Sequence, residues 1–526
     1  MNNNNYTQSE PEVDWAIFIP AVIIVLICAI PLMVFPDSAA AALSEGRAII
    51  MSNFLWLYLS VGVGAFGFCM WLAFGRFAHV KLGSAGEAPE YSDGHWAAMM
   101  FTAAIGAAVL AWGFAEPIYY LQTPPLGIEV GSSKSFEWAH MYPMLHWGIV
   151  PWSIYAVPAV PIAYMLYVKR YKVLRISSAC DGALPQQGRN RIKTGIDILI
   201  ILGIVGGVTT SLGLVVPLLS AMLATLFDIE DSMVIKLAVL AMWTMLFGAS
   251  VYRGLKSGIK VLADINMVLA IFAVIFILVA GPGVFILDLT VNSIGLMFNN
   301  FISAATWTDP INNGSFPEDW TGFYWAWWLA YTGMIALFFG RISRGRTIRQ
   351  LVLGVIGWGS LGTWTVLAVM GGYSLYLESN GILNVSEILN NQGMSYVNAL
   401  VIKSLPLGKV TLTIFIILSV VFSATTIDSS AYVISSICAK NLPSTDEPKR
   451  WSRVAWAVLL ALITAGILQS GALDTVLSIT VLSSVPMIPI MILLCVSLVH
   501  WLNRDFGHLV QRKELTLPTD KISESS

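Results

Sequence analysis

The chain has 526 residues, of which 56% are hydrophobic and 11% charged, and its formal net charge is -2. A soluble domain carries about 25% charged residues, so most of this surface faces something other than water. The near-neutral balance gives no reason to expect nucleic acid as a partner, and five scattered cysteines without a CxxC or Cys/His cluster suggest packing residues, not a zinc site or disulfide framework.

Residues 1–14 are polar and acidic and lack the basic start of a secretory signal. They are read as a short cytoplasmic tail. Residues 15–502 are read as a single transmembrane domain and 503–526 as a second short cytoplasmic tail. A membrane helix needs about 20 apolar residues. Such stretches predict twelve helices, at roughly 15–35, 54–75, 95–122, 143–168, 195–226, 233–252, 258–288, 320–341, 347–376, 408–438, 452–470 and 474–502. The segment Val291–Ala305 is amphipathic, with Asn and Thr at its flanks, and is expected to lie on the membrane surface. The fold class is therefore an all-α membrane protein.

Lys and Arg set the expected orientation. Arg76 and Lys81 follow helix 2, and Lys169 to Lys193 supply seven basic residues after helix 4. Arg253, Lys256 and Lys260 follow helix 6. Arg341, Arg344, Arg346 and Arg349 follow helix 8, and Lys440, Lys449, Arg450 and Arg453 follow helix 10. No Lys or Arg occurs between Lys260 and Arg341. Both termini are thus expected in the cytoplasm, with the chain in a bacterial inner membrane.

Function in a membrane protein tends to sit where the apolar pattern fails. Helix 3 reads TAAIGAAVLAWGFAEP, with small residues from Thr102 to Ala108 around Gly106. Small residues let helices approach closely; the same stretch could unwind and offer free backbone groups to a solute or ion. Glu116 follows, readable as a helix-end carboxylate, a structural acceptor or a proton site. Helix 4 carries HWGIVPWSIY. At 100° per residue Trp152 and Tyr155 share a face, and Trp147 lies about 80° from Tyr155. Helix 8 carries FYWAWWLAYTGM, with Trp327 and Trp328 one turn before Tyr331. Such rings can mark an interface belt or pack a core. They can also form a box for a cation that has no N–H to donate. Helix 10 contains SATTIDSS, Ser423 to Ser430, whose hydroxyls can bond back to their own helix or ligate sodium. Asp428 in that run either joins such a site or pairs with a basic group. His146 is the one histidine read as lying within a span. It has no HExxH-like partner, so an enzyme is not expected.

Taken together, AWGFAEPIYY with a following TPP, HWGIVPWSIY, TSLGL at Thr210–Leu214 and RISRGRT after WAWW resemble the betaine–choline–carnitine transporter (BCCT) family. The resemblance runs over roughly Trp15 to Trp501. It implies twelve helices, with helices 3–7 and 8–12 as LeuT-type inverted five-helix repeats. It implies transport of glycine betaine, carnitine, choline, trimethylamine N-oxide, dimethylsulfoniopropionate or a related methylated onium solute. Several members are trimers, so a homotrimer is among the assemblies implied.

Carried over by position, the aromatic box resembles Trp147, Trp152, Tyr155 and Trp328. Trp327 and Tyr331 match positions lining the inward pathway, and Tyr119, close to Glu116, matches a substrate-site aromatic of the carnitine type. Met334 stands where sodium symporters have an aromatic, and the solute tail is expected near Tyr119, Glu116 and Met334. Thr425 and Thr426 match the hydroxyls of one family sodium site, which carbonyls at Thr102, Ile105 and Phe422 would complete. Helix 7, LADINMVLA, has no arginine where sodium-independent exchangers carry one. The second family sodium site is not expected, since its threonine positions are Ile204 and Val208. The reading is a sodium symporter working by alternating access, with Na+ as coupling ion and no other cofactor. Sodium-independent exchange and proton coupling through Glu116 are the alternatives.

Overall fold

The computed structural model describes residues 12–514 except 85, 104–105, 254–255, 313, 441, 443–446 and 472, with backbone alone for 107, 247, 249–253, 256–264 and 508–514. Strand β1 (Glu12–Val13) leads into α1 (Trp15–Val34), and Pro36 opens α2 (Pro36–Phe74). Proline suits the first helical position because its missing N–H would have no partner there. Helix α2 starts well before the predicted residue 54, because the alanine-rich segment after Pro36 has good helix formers and no internal proline.

The third predicted helix is broken. It consists of α3 (Asp93–Ala103), α4 (Ala107–Gly113) and α5 (Glu116–Gln122). Gly106 is extended, at φ -137° and ψ 176°, and the two halves meet at 59°. Of the two readings of the small-residue stretch, the interrupted one holds at Gly106. The fourth predicted helix is also interrupted, between α6 (Ser133–His146) and α7 (Ile149–Tyr167). A Cβ on Gly148 would lie 2.4 Å from the Met144 carbonyl oxygen and 2.6 Å from Trp364 Nε1, so the turn requires glycine.

A short α8 (Ile176–Ala179) precedes α9 (Arg189–Phe227), α10 (Met233–Arg253) and α11 (Lys256–Ala280). The predicted helix 258–288 ends early, at Gly281–Pro282, where proline cannot donate to the helical ladder. Helix α12 (Gly283–Thr306) then takes in the whole amphipathic segment Val291–Ala305. Its buried residues form one stripe, Ile286, Ser293, Met297, Ala304 and Ala305. A π-helical turn, Pro317–Gly322, feeds α13 (Phe323–Ile342), and Thr347 with Gln350 forms a capping box for α14 (Ile348–Ser379). Helices α15 (Val385–Gln392) and α16 (Met394–Ser404) precede α17 (Gly408–Ile437). After β2 (Ala439–Lys440) come α18 (Arg450–Gln469), α19 (Leu473–Ser484) and α20 (Met487–Glu514).

Among the described residues, each predicted span falls on one helix or on a run of helices separated by short breaks. Among the described residues nine helices are long and apolar enough to cross a membrane, or ten if the bent α3–α5 pair counts as one. The apolar stretches of α10 and α11 are shorter, Met233–Leu246 and Ile265–Ala280.

Among the described residues, the basic loops after the second, fourth, eighth and tenth predicted helices meet at one end of the molecule. Lys81 bridges to Thr347, Arg344 pairs with Glu87 at 2.6 Å, and Arg346 pairs with Asp93 while stacking 4.5 Å above the Trp96 ring. Arg76 donates to Asn503 at 2.6 Å, which brings the start of the C-terminal segment to the same end. Residues 12–14 are anchored there too. Glu12 and Val13 pair with Lys440 and Ala439, and Arg175 donates to Asp14 at 2.7 Å and to the Ala439 carbonyl at 2.9 Å. Asp428 pairs with Arg453 at 2.6 Å, which is the structural option for that carboxylate.

Candidate functional site

Helix α13 packs against α7, α9 and α19, while α4 packs against α9, α14 and α17. Where these helices converge they leave a cavity of about 150 Å³ lined by Trp147, Trp152, Tyr155, Trp327, Trp328, Tyr331 and Met334. On this scale a single water needs about 10–15 Å³, so the space suits a small organic solute.

The break after α6 decides the geometry. Trp147 is not on the helical surface of α7 but in the turn before it, at φ -118° and ψ 15°. Its ring therefore meets Trp327 at 5.6 Å and Trp328 at 5.7 Å, both edge to face. Trp328 also meets Trp152 at 5.1 Å and Tyr155 at 4.6 Å, and Trp152 meets Tyr155 at 5.7 Å. All but the Trp328–Tyr155 contact, which is tilted at 48°, are near-perpendicular, the arrangement that suits the ring quadrupoles.

Each tryptophan N–H of the group is bonded within the protein. Trp147 donates to Glu116 at 3.0 Å, Trp152 to the Trp147 carbonyl at 3.1 Å, and Trp328 to the His146 carbonyl at 3.1 Å. Trp327 donates to the Gly207 carbonyl at 3.4 Å. Tyr331 shares a hydrogen bond of 2.7 Å with Ser211. Among the described residues no Lys, Arg, Asp or Glu stands on the cavity wall. What remains for an occupant is chiefly ring surface, which attracts positive charge.

Two of the expected site residues are elsewhere. Tyr119 is not on the cavity wall; its ring lies 5.0 Å from Trp320 and 6.2 Å from Trp112. Glu116 is fully buried behind the box at the start of α5. Tyr120 donates to its Oε1 at 2.7 Å and Trp147 to its Oε2 at 3.0 Å. With its own proton directed at Glu116, the tyrosine oxygen accepts from His146 Nδ1 at 2.8 Å, and Thr321 donates to Nε2 at 3.0 Å. Glu116 reaches the cavity only through the Trp147 ring. His140, which the sequence placed outside the spans, is buried within α6 and bridges Ser293 and the Ala368 carbonyl.

The hydroxyl cluster of α17 reaches the same cavity through Ser423 and Thr426. Thr425 and Thr426 both donate to the Phe422 carbonyl at 2.9 Å. Thr102 donates to the Met99 carbonyl at 3.2 Å, and its neighbour Ala103 lines the cavity. Ile105 lies outside the described residues. Ala103 of α3 and Thr426 of α17 thus line one cavity, and hydroxyl and carbonyl oxygens are the donor type that suits sodium. At the other family position, Ile204 and Val208 are buried and apolar, and Thr209 and Thr210 donate to Val205 and Gly206 of their own helix at 2.8 Å each.

Ser211, Leu212, Ile335, Ser423 and the α3–α4 residues Ala103, Gly106, Ala108 and Val109 also line the cavity. Ala103, Gly106, Ala108 and Ser423 fall in segments that the sequence singled out, whereas Val109, Ser211, Leu212 and Ile335 were not expected at the site. Ser211 lay within the TSLGL motif and Ser423 opened the SATT run, so a signal existed for both.

A family model described as BCCT, betaine/carnitine/choline family transporter, matches residues 16–507. A protein of Acinetobacter baumannii named carnitine transporter is 32% identical over 451 residues, covering 85% of this chain and 82% of the relative. The uncharacterized transporter YeaV of Escherichia coli K12 is 32% identical over 449 residues, covering 85% of this chain and 92% of the relative. A solved sodium-coupled sialic acid symporter in a substrate-bound outward-open state aligns over 82% of this chain and 81% of its own, at 14% identity and a TM-score of 0.35. That likeness is too distant to inform the site or the substrate.

Proposed function

The chain belongs to the betaine/carnitine/choline transporter family, and from that membership we propose that it imports a small methylated onium solute by sodium symport. Membership brings with it the expected architecture of twelve helices in two inverted repeats. The observation that carries the solute class is the ring group of Trp147, Trp152, Tyr155 and Trp328, whose indole N–H groups are engaged by the protein. A trimethylammonium head has no N–H and cannot use hydrogen-bond acceptors. It gains instead from ring faces, each close contact contributing about 1–2 kcal/mol once water is excluded.

Sodium near Thr425 and Thr426, completed by carbonyls of Phe422, Thr102 and Ile105, would bridge the bent third helix and α17. An ion there favours whichever conformer brings the two segments together, and it shifts the equilibrium only by its differential affinity for that conformer. If closure requires both sites filled, solute and sodium cross together. The extended backbone at Gly106 supports this reading, because a bend of 59° in the third helix is a natural place for the access path to change. The basic end of the molecule, which holds Asp14 and Asn503, is assigned to the cytoplasm.

The test is uptake of labelled glycine betaine, carnitine, choline, trimethylamine N-oxide and dimethylsulfoniopropionate into proteoliposomes, with an inward sodium gradient or with potassium instead. Accumulation of one solute only with sodium is the expected result. Sodium-insensitive uptake that needs preloaded solute would make the protein an exchanger, the reading that apolar Met334 on the cavity wall favours.

A further inference from the structure

Of the fully buried polar side-chain atoms that lack a hydrogen-bond partner among the described residues, one belongs to a residue of the cavity wall, the hydroxyl of Ser423. The residue is 1% exposed. A helical serine ordinarily bonds back to the preceding turn. Later in the same run Ser430 donates to the Thr426 carbonyl at 2.6 Å and Thr425 and Thr426 to that of Phe422 at 2.9 Å. Ser419, one turn earlier and off the cavity wall, and Ser423 on it have no such bond among the described residues. Elsewhere on the wall, Ser211 and Tyr331 satisfy each other and Thr426 is committed to Phe422. A buried hydroxyl without a partner is destabilising, so an atom of this kind in a solute cavity is one that an occupant satisfies.

We propose that Ser423 donates a hydrogen bond to an oxygen at the far end of the solute, while the ring group holds its methylated head. This rests on the reading of the cavity as an onium site and narrows it. The preferred solutes are onium compounds that also carry an oxygen acceptor, a carboxylate above all. Bare tetraalkylammonium ions bind by the head alone. The ring group thus selects the charge and Ser423 selects the tail.

The test compares glycine betaine with tetramethylammonium, which has no oxygen, on the full-length protein in proteoliposomes at saturating sodium. Ser423→Ala is expected to weaken betaine binding about tenfold and to leave tetramethylammonium binding within twofold of the wild type, and Ser423→Thr, which keeps a hydroxyl, to retain most of the betaine affinity. Equal losses for both solutes would mean that Ser423 merely shapes the rings, and unchanged betaine binding would mean that the hydroxyl is not used; either overturns the proposal. A betaine loss that appears only at low sodium would assign Ser423 to the ion and overturn it as well. Wild-type protein that binds neither solute would instead refute the onium reading itself.

Discussion

Gly359 of α14 lies against the indole of Trp152, and replacing it with alanine is a direct test of whether the ring group sets affinity. A methyl carbon there would fall 2.3 Å from Cδ2, 2.5 Å from Cε3 and 2.7 Å from Cε2 of that ring. Carbon atoms rest at about 3.5–4.0 Å, so the ring must move by more than about 1 Å. Its N–H is tethered to the Trp147 carbonyl at 3.1 Å, and its other neighbours are Trp328 at 5.1 Å, Tyr155 at 5.7 Å and Phe339 at 6.0 Å. Retreat from α14 therefore crowds the other rings. Overpacking of a filled site costs about 1–3 kcal/mol, which corresponds to roughly 5- to 150-fold if it appears in binding. Betaine binding and uptake would be measured in proteoliposomes, with thermal unfolding in detergent alongside. Gly357→Ala is the control, since nothing lies within 4 Å of a Cβ at that position on the same helix. If Gly359→Ala matched the control in affinity and in melting temperature, the close packing behind Trp152 would be irrelevant and the reasoning wrong.

Trp328→Ala removes the ring that touches the other three of the group, and the loss of its cation–π contact of about 1–2 kcal/mol predicts a fall in affinity of roughly 5- to 30-fold. The variant should still elute as folded protein in size-exclusion chromatography; near-normal uptake would rule out the ring group as the onium site. Glu116→Gln replaces one acceptor with an amide NH₂, so either Trp147 loses its acceptor or Tyr120 must turn its proton toward His146. A roughly tenfold weaker solute affinity with an intact sodium response is expected, whereas abolished transport in a protein whose wild type ignores sodium replacement would indicate proton coupling. Thr426→Val keeps the side-chain shape but removes one oxygen of the expected sodium site. Half-saturation by sodium, read from uptake at fixed solute, should rise about tenfold, in keeping with the loss of an oxygen ligand from a hard-cation site; an unchanged sodium curve would place the ion elsewhere.

Much of this protein is legible in its residues. Apolar runs of spanning length identify the helices because a bilayer imposes one length and one solvent on each of them separately. The aromatic clusters near Trp147 and Trp328, the small residues around Gly106 and the hydroxyls from Ser423 to Ser430 all stand out as departures from that pattern. Helical phase was a less reliable guide. It treats Trp147, Trp152 and Tyr155 as points on one regular helix, yet Gly148 breaks the helix between them and turns Trp147 toward α13. Tyr119 and Glu116 are close in sequence to residues of the cavity wall, but α5 carries them behind it, one against Trp320 and the other under the Trp147 N–H.

By itself the sequence determined an all-helical membrane chain, its basic end, and the residue types from which an onium site could be made, because each follows from local composition. Only the tertiary structure decided which rings share a cavity, which N–H groups are already occupied, and that the hydroxyl of Ser423 is left over. Those features depend on contacts such as Trp328 with the carbonyl of His146 and Tyr331 with Ser211. Such contacts join residues more than a hundred positions apart, and no window on a single helix contains them.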